Sequence, residues 1–183
     1  MQTFYKFLGI ILLSIVVFSG CQESTSDPTS VSSGQSPLLK SSGPAASGQG
    51  RISGTNRTFA FNAVTHPDGS VSGQGQLTYT HNGNDVKTHF TIDCISVSGN
   101  EAIMSGTVTN SKALPDYVGG SCWFKVKDNG EGANAPPDEM TFFIFCLAGD
   151  PSPFCAQLTC GNDLENEAGG LQPTENGNIQ VKP

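Results

Sequence analysis

From Arg51 onward, apolar and polar side chains alternate with a period of two, and this pattern decides the fold class. Alternation runs through Thr58–Ala63, with Phe59 and Phe61 on one side, then through 71–81 and 86–97. It continues in 101–109, 122–127, the strongly apolar 140–147 and the closing stretch 178–181. Turn chemistry separates the runs: His66-Pro67-Asp68-Gly69, Asn82-Gly83-Asn84-Asp85 and Ser98-Gly99-Asn100. No window long enough for a helix carries an apolar stripe at helical spacing. The expected fold is all-β, an antiparallel sandwich or barrel of about seven to nine strands.

A two-residue turn at Asn82-Gly83 or Gly83-Asn84 pairs odd residues of one strand with even residues of the next. Leu77 and Tyr79 then share a face with Val86, Phe90, Ile92 and Cys94. Gln76, Thr78, Thr80, Lys87, His89 and Asp93 take the other. Beyond Cys94 the pattern inverts, and Ile95 and Val97 face with Ala102, Met104 and Val108. A bulge near Asp93–Ile95 accounts for this, as does a strand covered on both faces.

The first 20 residues have the layout of an export signal, with Lys6 ahead of the apolar run Phe7–Phe18. As a helix that run is about 18 Å long, short of the ~30 Å hydrocarbon core. Val17-Phe18-Ser19-Gly20-Cys21 resembles the lipobox of bacterial lipoproteins, although Phe18 stands where Leu is usual. The resemblance implies cleavage between Gly20 and Cys21, with diacylglycerol and a further acyl chain such as palmitate on Cys21. Two or three acyl chains at ~0.8 kcal/mol per buried methylene make a lasting membrane anchor. Gln22 rather than Asp follows, which points to the outer membrane.

Residues 21–50 are rich in Ser, Gly and Pro, have no apolar periodicity, and are expected to form a disordered tether reaching about 30 Å. Residues 51–183 remain as a single all-β domain. The chain has 9 Lys+Arg against 16 Asp+Glu and a net charge of −7, so a nucleic-acid partner is not expected.

Three turn-and-strand motifs occur in order: Cys94-Ile95-Ser96-Val97-Ser98-Gly99-Asn100-Glu101-Ala102, with Ser105-Gly106 beyond it; Asp128-Asn129-Gly130-Glu131-Gly132; and Gly177-Asn178-Ile179-Gln180-Val181. Together they resemble the post-COAP type of domain of secreted and surface bacterial proteins, over about residues 50–183. That resemblance implies a β-rich extracellular module with no catalytic residue to carry over. The stretch Cys146–Cys160 is atypical of it.

Setting Cys21 aside leaves Cys94, Cys122, Cys146, Cys155 and Cys160, an odd number that suits two disulfides and one free thiol in an exported chain. One bridge is expected among Cys146, Cys155 and Cys160. Cys94 and Cys122 lie on apolar faces, where they pair across the core or stay as buried thiols. Zinc needs clustered Cys or His ligands, and that spacing is missing, so no metal or other cofactor is expected.

Catalytic motifs are also missing, with no G-x-S-x-G, H-E-x-x-H or Walker loop. His81 and His89 fall on opposite faces under the tight turn, and His66 sits in a turn. The acidic loop Asp128–Glu131, with Asp138 and Glu139, either offers oxygens to Ca²⁺ or hydrogen-bonds its own backbone. Trp123 alternates out of phase with Cys122, Phe124 and Val126. It either contacts a sugar or protein ligand or covers a second buried face. The expected function is a non-catalytic interaction or structural module at the bacterial envelope, with a surface polymer or protein as partner. A small hydrolase using a carboxylate pair that includes Asp93 is the second reading.

Overall fold

The computed structural model describes residues 43–132 and 134–183; the expected export signal over 1–20, Cys21 and residues 22–42 lie outside the described residues. Among the described residues nine strands form, all paired antiparallel: β1 (Ala45–Ile52), β2 (Thr58–Thr65), β3 (Val71–His81), β4 (Asn84–Ser98), β5 (Glu101–Ser111), β6 (Ser121–Lys127), β7 (Glu139–Met140), β8 (Ile144–Phe145) and β9 (Gln172–Lys182). The only helical elements among the described residues are two short 3-10 turns. β5 pairs with β6, β6 with β7, β7 with β9 and β9 with β1, so eight strands close on themselves and β8 adds to β6. Of the two expected architectures, the barrel is the one observed.

The β3–β4 hairpin turns on Asn82 (φ 50°) and Gly83 (φ 77°), the paired left-handed conformation of a type I′ turn. Tyr79 therefore stands opposite Val86, and the expected odd-to-even pairing holds. On the β4–β5 ladder Ile92 pairs with Gly106 and Cys94 with Ser105, leaving Asp93 as the extra residue of a bulge. The bulge inverts the pattern one residue earlier than expected. Cys94 therefore points out of the barrel, while Ile95 opposes the fully buried Met104.

Three boundaries differ from the sequence reading. β1 begins at Ala45, inside the stretch expected as tether, because Ala45–Ile52 is paired on both sides, by β2 and by β9. Its small residues do not signal a strand, yet they fit where the Phe61 ring and the Ile179 side chain crowd Gly48. The expected single strand over 140–147 is two pieces: Met140 pairs with Val126 and Ile144 with Trp123, so one extra residue bulges between them. The closing strand spans all of Gln172–Lys182, since β1 and β7 both supply partners.

The barrel interior is aromatic. Phe124 meets Phe143 at 4.6 Å, Phe61 at 5.3 Å and Phe90 at 5.8 Å between ring centroids. A second cluster lies outside β6, where Trp123 packs with Cys146, Leu158, Leu164 and Ala168. β6 is thus buried on both faces, its even residues inside the barrel and Trp123 and Lys125 beneath the segment that follows β8.

Lys125, only 5% exposed, pins that covering segment. Its ammonium reaches Asp163 (2.8 Å), Glu165 (2.9 Å) and Glu101 (3.0 Å). Burial opposes its charge, but hydrogen bonds to Asp163, Glu165 and Glu101 outweigh this and hold the ammonium above its ordinary titration range. The bond from Lys125 likewise holds the Asp163 carboxyl below its ordinary value, against a smaller opposing effect of burial. Lys125→Met is expected to lower stability by about 2 kcal/mol at neutral pH, less than for a fully buried pair because Asp163 is half exposed. The Asp163 contribution is present above its unfolded pKa and is lost as pH falls through its lower folded value. The gap between wild type and variant in urea denaturation should therefore narrow in acid; a gap that widens there would contradict the ion cluster.

Candidate functional site

An open groove of about 980 Å³ lies on the outside of the barrel. Strand register builds it. Outward residues of six consecutive strands line up in two rows across the sheet. The first row is Gln180, Ser47, Asn62, Gln74, Thr91 and Thr107, each the direct partner of the next. The second is Asn178, Gln49, Ala60, Gln76, His89 and Asn110. At ~4.8 Å between strands each row runs about 24 Å, and the rows lie roughly 7 Å apart, two residues along each strand.

Inward-facing glycines set the floor. A Cβ on Gly75 would overlap the ring of Phe90, and one on Gly48 would overlap the ring of Phe61. With no side chain there, the backbone lies directly on the core rings and the outer face sinks. The groove continues into a smaller hollow of about 410 Å³ over Gly50, Arg51, Thr58 and Asn176. At that end Arg51 and Glu175 form a two-bond pair, with Nε to Oε1 and Nη2 to Oε2 both at 3.1 Å.

Chemically the main groove is neutral. Its lining contains no Asp, Glu, Lys or Arg, and His89 is its one titratable side chain. Among the described residues, Asn178 is the one row amide engaged within the chain, donating Nδ2–H to Glu131 Oε1 at 2.7 Å. The remaining amides present both a donor and an acceptor to solvent.

Comparison of the chain with protein-family models, with curated proteins and with solved structures returns no match.

The residues singled out in the sequence fall elsewhere. Trp123 is not a ligand contact: it is 0% exposed and its Nε1–H donates to the Asn162 carbonyl at 3.1 Å. The covering segment fills the face that alternation leaves outward. Cys146 pairs with Cys155, the bridge expected among the last three cysteines. Cys94 pairs with Cys160 rather than across the core with Cys122, because the Asp93 bulge turns Cys94 outward towards the covering segment. Cys122 remains a buried thiol. Asp150 lies close to Cys146 and Cys155, but their sulfurs are bonded to each other and offer no thiolate to a metal.

The acidic loop hydrogen-bonds backbone, as one of its two readings anticipates. Asp138 accepts from the N–H of Asn129 (2.8 Å) and of Ile179 (2.7 Å); Asp128 accepts from Gly130 (2.8 Å) and Val181 (3.0 Å). Because β7 is only two residues long, these carboxylates take the β9 N–H groups that a longer partner strand would bind. His81 and His89 lie on opposite faces, and only His89 lines the groove.

Burial, with a smaller effect of the Asp93 charge, pushes the Cys122 thiol up to about 12. In a chain carrying Cys21→Ser, a thiol reagent at neutral pH should therefore leave the native protein unmodified and titrate one thiol per chain after unfolding. Rapid labelling of the native chain would contradict the burial of Cys122.

Proposed function

We propose that this chain is a non-catalytic binding module held at the bacterial cell envelope by lipid on Cys21, and that the amide groove is its contact surface. The lipobox-like run ending at Cys21 supports the anchor, and Gln22 after it favours the outer membrane. The resemblance to the post-COAP type of domain supports a β-rich extracellular module. The observation that carries the binding reading is the uncharged, hydrogen-bond-rich face six strands wide. Surfaces that only keep a protein soluble are normally dressed with Lys and Glu. Here ten of the twelve row positions are Gln, Asn, Ser or Thr, the other two being Ala60 and His89, which suits an uncharged polar partner, either an envelope polymer or a protein. A hydrolase using paired carboxylates would set them across a cleft, whereas no Asp or Glu lines this groove and Asp93 lies outside it.

A pull-down from envelope extract tests the reading. The full chain should retain a partner, and Gln74→Glu with Asn62→Arg should lose it while the fold, read by circular dichroism, is unchanged. Equal retention by the variant would refute the groove. Intact mass tests the anchor: the chain should begin at Cys21 and carry acyl mass, and an unmodified Cys21 would refute it.

A further inference from the structure

Taking the groove to be the contact surface, we infer that its occupant is an uncharged glycan chain lying across the strands. Three features of the groove select this chemistry. The first is charge. A polyanion would need Lys or Arg in the lining and a cationic partner would need Asp or Glu, and the groove supplies neither. The second is the type of polar group. A sugar hydroxyl donates and accepts at once, and a primary amide is the side chain that offers both in one plane. Gln49, Asn62, Gln74 and Gln76 repeat that group on three adjacent strands. The third is spacing. Strands recur every ~4.8 Å across the sheet, close to the advance of one ring along an extended pyranose polymer. A chain laid along the rows therefore meets an equivalent pair of positions at each strand, one for either edge of the ring. The floor suits the apolar face of such a ring. It is the bare backbone of Gly48 and Gly75, backed by Phe61 and Phe90.

A protein strand is a poorer occupant. The groove floor is the face of a sheet, where backbone N–H and C=O groups are already paired across strands, so it offers no edge for strand addition.

The test is binding of the full chain to cellohexaose, soluble xylan and mannan as neutral probes, with polygalacturonate as the charged one, by affinity electrophoresis and calorimetry. At least one neutral glycan should bind and polygalacturonate should not. Gln74→Ala with Gln76→Ala should weaken that binding tenfold or more. Ala60→Trp, which puts a bulky side chain in the second row between Gln49 and Gln76, should abolish it while leaving the circular-dichroism spectrum unchanged. Failure of every neutral glycan, equal binding of polygalacturonate, or unchanged binding by both variants would overturn the inference. If envelope capture is lost on the Gln74→Glu, Asn62→Arg substitutions while no neutral glycan binds, the groove stands as contact surface and the glycan assignment alone falls.

Discussion

Removing the Cys94–Cys160 bond, by Cys94→Ala with Cys160→Ala, is expected to lower stability by about 4 kcal/mol, because the bond closes a span of 66 residues. The Cys146–Cys155 bond closes only 9, and its removal should cost about 2.5 kcal/mol by the same chain-entropy estimate. The larger bond also ties the covering segment to β4 at the Asp93 bulge. Its loss should let the segment lift and expose Trp123, the only tryptophan, so that emission shifts to longer wavelength before global unfolding in urea. Equal losses for the two bridges, or unchanged Trp123 emission, would contradict this arrangement.

Truncating Trp123 should be as damaging. Trp123→Ala empties the centre of the outer cluster and removes the hydrogen bond to the Asn162 carbonyl, for an expected loss of about 3–5 kcal/mol in urea denaturation followed by circular dichroism. Because Trp123 and Cys160 both hold the same covering segment, the combined variant should lose less than the sum of the separate losses. A loss below ~1 kcal/mol for Trp123→Ala would mean that the side chain faces solvent, as a ligand-contact role requires.

The strands that alternation identifies are those in which inside and outside differ chemically. In β3 and β4 the apolar face meets the core and the polar face meets water, so both register and hairpin are legible. β1 is illegible because its first six residues are Ala, Ser, Gly and Gln; its strand state comes from β2 and β9 on either side. The break at Thr141–Phe143 is illegible for the opposite reason: the stretch is apolar on both faces, so a one-residue bulge leaves no trace in the pattern. Barrel closure rests on contacts far apart in sequence, above all β1 with β9 and the Asp128 and Asp138 carboxylates on β9.

The groove was half visible. Gln76 and His89 fall on the polar face of the β3–β4 hairpin as read from sequence, but nothing local shows that Gln49, Asn62, Asn110, Asn178 and Gln180 come alongside them. The available signal was compositional: Gln49, Asn62, Gln74 and Gln76 place amides, with no Lys or Glu, at the row positions of β1, β2 and β3. Trp123 misled because an outward position on a strand is exposed only if no later segment covers it, and residues 144–168 do so here.

Hydrogen exchange of the full chain, with and without saturating envelope extract, tests most directly whether the amide-lined face is where this protein makes its contact. Protection gained over 45–52, 58–65 and 71–81, with 144–168 unchanged, is the expected result. Protection confined to 144–168, or none on the first three strands, would contradict it.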